Sequence, residues 1–289
     1  MAAFVPKGGD IQKLKSKGSA SEFYEDMAEL LNNEKYSDVK FLVGEEGTVM
    51  YGHKCILATR CKSFAETFEE FPAAESFVID YIQANHFHAV LEFIYTNCCS
   101  QLNKENVFDI LTAANEKGLD KLVKVCEEFL LRNASIETVC EYFDVAVTFE
   151  LSSLSDKLMV YFDEHTVDIF NSVSLREMSA AALEFVLKSN NLRIDEFDIY
   201  EAVRGWATVN SLVLEQPVNT VAKDVVKQIR LGLMTSEEVS QIEKQNEDHL
   251  IPVEQISQAW KHLALQTPAG SSIDTTLRKG TKGRYNSKK

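Results

Sequence analysis

The chain has 289 residues, room for two modest domains, and 45% of them are hydrophobic, the share expected of a chain with a packed core. A net charge of −14 sets the folded body against a phosphate backbone and argues against nucleic-acid binding. No apolar run approaches the roughly 20 residues of a membrane span. Residues 1–18 carry Lys7, Lys13, Lys15 and Lys17 with no apolar stretch, unlike a secretory signal, so the expected setting is cytoplasmic or nuclear.

Residues 1–20 show no periodic pattern and are expected to be disordered. From Ser21 a helix places Phe23, Met27, Leu30 and Leu31 on one face, and Asn32-Asn33 ends it. Val39, Phe41 and Val43 alternate with Asp38, Lys40 and Leu42, which reads as a strand. Gly44–Gly47 reads as a hairpin turn and Thr48–Tyr51 as the returning strand. At Gly52-His53-Lys54 the period changes. Cys55, Ile56 and Leu57 open a helical pattern that runs through Phe64 and Phe68 until Pro72 stops it. A short strand, Phe77-Val78-Ile79, comes next. A helix carrying Phe87, Val90, Leu91, Ile94 and Tyr95 follows it. Two further helices, over 104–117 and 119–131, are separated by Gly118, which suits a left-handed cap. Residues 21–132 thus form a mixed α/β region.

Beyond Asn133 the strands stop. Ser135 is expected to open a helix with Val139, Cys140, Phe143, Ala146, Val147 and Phe149 as its apolar stripe. Further helices are predicted over about 152–164, 180–188, 195–209, 218–229, 237–244 and 253–263. Brief loops between them make residues 133–265 a stacked all-α bundle without a strict repeat. Residues 266–289 lose periodicity and hold six basic residues to one acid. They read as a disordered basic tail, with a nuclear-import signal or a weak electrostatic contact as the functional alternatives.

Catalytic motifs are missing. Gly47 and Gly52 have the spacing of a phosphate loop, but Lys54 does not follow Gly52 directly and strand formers fill the interval. His53, His86, His88, Cys98 and Cys99 lack metal-ligand spacing. Cys55, Cys126 and Cys140 sit among apolar residues and read as small buried hydrophobes. Cys98 and Cys99 read as loop cysteines with no neighbouring cation to activate them. No catalytic, cofactor or metal-binding residue is assigned, and an enzyme is not expected.

The Ser37-Asp38-Val39 strand, the hairpin, the Gly52-His53-Lys54 turn and the Phe64–Phe68 helix together resemble the first half of a BTB/POZ domain. Phe87 to Thr96 is similar to the middle helix of that domain. Ala113-Ala114, Gly118-Leu119, Leu122 and Cys126 are similar to its closing helix pair. From residue 134 to about 232 the chain resembles a BACK domain, through Phe143-Asp144-Val145-Ala146, Leu183, Ala202-Val203, Trp206 and Ile229-Arg230-Leu231. The resemblance implies an α+β BTB/POZ domain followed by an all-α BACK domain. It implies a homodimer whose interface uses Phe23, Met27, Leu30, Leu31, Asp38, Cys55 and Leu57. It also implies a substrate adaptor for a cullin-3 ubiquitin ligase, with cullin contacts at Phe68, Phe71, Glu75 and Tyr95 and an unidentified substrate protein. The alternative it leaves is a dimeric scaffold, or a transcriptional or signalling cofactor, that does not bind cullin.

The chain departs from the family pattern in three places. Cullin-binding members carry a hydrophobic-x-Glu triplet in the loop after the Phe64–Phe68 helix, and here it reads Ala73-Ala74-Glu75. No kelch repeat, MATH domain or zinc finger is present to read a substrate. Tyr51 stands where transcriptional members place a basic residue opposite the strand aspartate.

Overall fold

A computed structural model describes residues 19–265 and 273–282. The chain divides into two compact units, Met1–Phe129 and Leu130–Lys289. The expected disorder of residues 1–20 falls outside the described residues up to Gly18. Ala20 already begins the first helix, and the Ser19 hydroxyl accepts from the Glu22 N–H as its N-cap.

The first unit opens with α1 (Ala20–Glu29). A three-stranded sheet follows in the order β2-β1-β3. In it β1 (Val39–Val43) pairs antiparallel with β2 (Thr48–Gly52) and parallel with β3 (Ser76–Ile79). The hairpin turns at Gly44 and Gly47, whose φ values of +71° and +62° lie where a side chain is strained. The alternation of β1 is realised, with Val39, Phe41 and Val43 buried and Lys40 exposed. Two short helices, α2 (Lys54–Arg60) and α3 (Lys62–Glu70), precede β3; α4 (Ala84–Thr96), α5 (Val107–Glu116) and α6 (Asp120–Arg132) follow it. The Phe41 ring lies 5.5 Å from Phe64 and 5.4 Å from Phe87, so one strand residue joins the sheet to α3 and α4. Residues Ala89–Tyr95 of α4 are all buried, as suits a helix with α1, α2 and α5 against it.

The second unit is helical: α7 (Val139–Thr148), α8 (Ser152–Glu164), α9 (Thr166–Phe170), α10 (Ser174–Glu177), α11 (Ala180–Leu187), α12 (Glu196–Leu214), α13 (Val218–Val221), α14 (Ser236–Gln245) and α15 (Val253–Leu265). Phe143 of α7 meets Phe162 of α8 at 5.8 Å and Phe185 of α11 at 5.5 Å. Trp206 is buried, and its indole N–H donates to the Met178 carbonyl at 2.7 Å.

Two sequence expectations need correction here. The helix expected over 218–229 is the four-residue α13 followed by a 3-10 turn at Val225–Gln228. Val218, Val221, Val225 and Val226 are β-branched and resist a long helix, and burial of Ala222, Val225 and Val226 fixes the irregular path instead. The tail expected to be disordered is, over residues 273–282, folded onto the helical unit. Arg278 is 3% exposed and pairs with Glu196 at 3.0 Å. Composition reads such a segment as solvated because its partner acid lies 82 residues away. The remainder of the tail, 266–272 and 283–289, lies outside the described residues.

A Cβ added to Gly52 would stand 2.9 Å from Leu57 Cδ1, 3.1 Å from Phe41 Cε2 and 3.2 Å from Val39 Cγ1. Gly52→Val should therefore overpack the junction of sheet and helix and cost about 1–3 kcal/mol. Urea unfolding measures this, and a midpoint unchanged from wild type would show that the junction has slack.

Candidate protein-interaction surface

The turn from β2 into α2 organises one face of the first unit. His53 stands at the N-cap of α2 and makes no capping bond with its side chain. The cap comes from Asp38, just before β1, whose Oδ1 accepts from the Lys54 N–H at 2.7 Å. The His53 backbone N–H donates to the Tyr95 hydroxyl at 2.9 Å, and His53 Nδ1 lies 2.9 Å from the same oxygen. Nε2 faces the Lys35 carbonyl at 3.2 Å. The set closes if the hydroxyl gives its own proton to Nδ1 and the ring carries its hydrogen on Nε2. Burial pushes the Tyr95 phenol up to about 12, so it stays protonated and able to donate at neutral pH.

Lys54 carries this geometry into the next loop. Its ammonium donates to the Ala74 carbonyl at 2.7 Å and the Pro72 carbonyl at 3.3 Å, and lies 5.7 Å from the centre of the Phe68 ring. The loop Phe71–Glu75 is held at its ends too. The Phe71 N–H donates to Thr67 O at 3.0 Å, and the Glu75 carbonyl accepts from the Lys40 N–H at 2.9 Å. Its backbone is thus fixed while the Phe71 ring, 51% exposed, and the Glu75 side chain face solvent.

The expected interface residues divide. Phe23 is 67% exposed; Met27, Leu30 and Leu31 are half-buried, on or just after a helix that packs on α4; Asp38 and Cys55 are exposed. Leu57 does not belong to the surface. It is fully buried, because the first turn of α2 points it back at Gly52 and the sheet. Phe68 and Tyr95 are likewise core residues. Phe68 stacks on Phe64 at 5.8 Å and meets Phe77 at 5.6 Å, and Tyr95 is 3% exposed with its hydroxyl engaged by His53. Of the four expected cullin contacts only Phe71 and Glu75 are available. The role of Lys54 as a tether is missed by sequence reasoning. The Gly-His-Lys turn is its one signal, and nothing in it says where the ammonium ends.

Among the described residues no three His, Cys, Asp or Glu side chains gather as a metal site would require. His86 Nδ1 lies 2.8 Å from Asp109 Oδ2. Cys126 and Cys140 are buried as expected, and Cys55 is exposed, contrary to expectation, because it lies on the outer side of α2.

A BTB/POZ domain model matches residues 27–134, and a BTB And C-terminal Kelch (BACK) model matches residues 139–244. These matches and the fold define a protein-interaction class, a BTB domain followed by a BACK domain. The chain belongs to this BTB–BACK family. BTB/POZ domain-containing protein 19 of Bos taurus is 39% identical over 91% of this chain and 92% of its own; that of Homo sapiens is 41% identical over 86% and 87%. BTB/POZ domain-containing protein 9 of Drosophila melanogaster is 30% identical over 76% of this chain but only 30% of its own length. The BTB domain of human gigaxonin is similar over 45% of this chain and 98% of its own, at 18% identity and a TM-score of 0.33.

The cysteines give a direct check on this surface. Burial pushes the thiols of Cys99 and Cys140 up to about 11 and that of Cys126 up to about 12, and raises Cys61 as well. At pH 8 a thiol with a pKa near 12 is thiolate in only about one molecule in ten thousand. With a thiol reagent at pH 8, exposed Cys98 should label rapidly and these four slowly, with all six labelling in denaturant. Rapid native labelling of Cys126 would contradict the packing of α6.

Proposed function

We propose that the chain is a non-enzymatic, homodimeric adaptor that recruits a substrate protein to a cullin-3 ubiquitin ligase. Such an adaptor does no chemistry. It raises the effective concentration of its substrate beside the ligase, and two substrate sites per dimer would add avidity. The observation that carries the cullin part is the loop after α3. Phe71 and Glu75 are exposed on a backbone fixed by Lys54, in the stretch where the family carries its hydrophobic-x-Glu triplet. Phe71 supplies the large apolar group that Ala73 lacks, from two residues earlier. Preorganisation favours the role, since a fixed loop has little ordering entropy left to lose on binding.

A second reading, a dimeric scaffold that does not bind cullin, is favoured by Ala73 itself. A hydrophobic anchor lost at an interface centre can cost about 2 kcal/mol or more, around thirtyfold in affinity. One binding experiment separates the two. With the N-terminal region of cullin-3, the adaptor reading expects micromolar or tighter affinity, weakened at least tenfold by Phe71→Ala and by Glu75→Ala. No binding at tens of micromolar leaves the scaffold.

Self-association is tested independently. Met27→Asp with Leu31→Asp would place two charges in the apolar seam proposed along α1 and should turn a dimer into a monomer by sedimentation. On the wild-type chain, Cys55 labelling should slow as protein concentration rises through the dimerisation range. A dimer unchanged by the substitutions, with Cys55 equally reactive at all concentrations, would move the interface elsewhere.

A further inference from the structure

The segment Ile273–Lys282 lies on the helical unit in the manner of a bound peptide. Only one of its ten residues, Arg278, is buried; the others are half-buried or exposed, and the apolar Leu277 is 61% exposed. The segment adds little to the hydrophobic core. What holds it is polar and directional. Arg278 Nε donates to Glu196 Oε2 at 3.0 Å, Nη1 to the carbonyls of Leu187 and Ser189, and Nη2 to the carbonyl of Gln228. Glu196 is fully buried at the first turn of α12, and its other oxygen accepts from the Arg230 N–H at 2.8 Å. The main chain is read as well, through Lys279 N–H to Asn190 O and Gly280 N–H to Leu192 O, both 3.0 Å. Gly280 passes so close that an added Cβ would overlap the backbone at Ile194. Beyond it, the Lys282 N–H and ammonium both reach the Asp195 carboxylate at 3.1 Å.

These contacts define a ligand. The pocket at Glu196 presents one carboxylate oxygen and three carbonyls to a planar fork of donors, a demand that a guanidinium meets and a lysine ammonium does not. The Ile194 backbone admits only glycine two residues on. Asp195 calls for a cation two residues further. Main-chain hydrogen bonds fix the path of the segment, and the pockets for Arg278 and Lys282 supply selectivity. We propose that this groove is a recognition site for segments of the pattern Arg-x-Gly-x-Lys that turn between the arginine and the lysine, as Arg278–Thr281 does here through the Thr281 N–H to Arg278 carbonyl bond of 3.1 Å, that it is filled in cis by residues 273–282, and that a partner protein presenting the same pattern competes for it. The site lies wholly in the helical unit and does not depend on whether the chain dimerises or binds cullin.

The test keeps the chain intact until it has folded. A protease site inserted after Pro268 of the full-length chain allows the tail to be cut afterwards without removing it. A fluorescent peptide of residues 273–282 is then added and followed by anisotropy. The peptide should exchange into the cut chain with micromolar affinity and bind the uncut chain at least tenfold more weakly, because the tethered segment competes at high effective concentration. Peptides with Arg278→Lys or Gly280→Ala should lose at least tenfold. A peptide keeping only Arg, Gly and Lys at their three positions, with serine elsewhere, should bind within tenfold of the native one. In the uncut full-length chain, Arg278→Ala should release the segment and raise affinity for added peptide, and adding Glu196→Gln should remove that gain. Failure of the peptide to exchange into a folded, cut chain overturns the proposal, as does unfolding of the chain on cutting, since the segment is then part of the fold. Equal binding of the substituted peptides overturns the pattern. Exchange with the tail of a second copy supports the site, because it is the same groove taking the same ligand from outside.

Discussion

The first unit depends on how closely β2 and α2 meet. At Gly52 the chain leaves the sheet with no room for a side chain, and Leu57 closes on it from the helix one turn later. The hydrogen bonds of the junction follow from that approach. Asp38 reaches across to cap α2, and His53 turns inward to Tyr95 on α4. Lys54, next in line, is left pointing along the surface, where it meets the carbonyls of the Phe71–Glu75 loop. Two parts of the domain that the sequence presents as separate, the first-strand aspartate and the loop after α3, are joined by one residue pair. A change at Asp38 or Lys54 therefore acts on the loop as well as on the helix start, without touching Phe71 or Glu75.

The legible part of this chain is the part with local causes. Period two in β1 and period 3.6 in α4 are set by neighbours in sequence, and the left-handed glycines at 44, 47 and 118 are set by turns. Which face of an element reaches solvent is decided at a distance, and there the reading divided. The family resemblance implies surface roles for Leu57, Phe68 and Tyr95, yet they are held inside by Gly52, Phe64 and His53 respectively. Cys55 went the other way: its neighbours in sequence are apolar, but it lies on the outer side of a short helix whose inner side is taken by Leu57. The tail is the extreme case. Nothing between Ile273 and Lys282 suggests order until Glu196, 82 residues earlier in the chain, supplies the partner charge.

That charge pair also shows what a buried ion pair can and cannot do. Arg278 and Glu196 are both removed from water, so much of their mutual attraction offsets lost hydration, and the pair adds less net stability than its geometry suggests. Its contribution is selective. With a single carboxylate and three carbonyls converging on one point, sliding the segment one way would bring Leu277 and leave Glu196 buried without a cation, and sliding it the other way would bring Lys279, whose ammonium cannot meet all four acceptors. Such an orphaned charge costs about 3–5 kcal/mol, several times a typical surface contact, so the register is fixed even where few apolar atoms are buried.

The two proposed sites would thus bind by different physics. The loop after α3 offers an aromatic ring and a carboxylate on a rigid backbone, a surface whose affinity would come from burying apolar area around a few anchors. The groove at Glu196 offers converging acceptors and a glycine-sized gap, a surface that selects by pattern and gains little from area. An adaptor needs both kinds of contact. It must hold a constant partner through a shared shape and tell variable partners apart by sequence. Among the described residues that follow the BACK helices, 273–282 lie in the groove at Glu196, where a sequence-reading contact would complement the loop after α3.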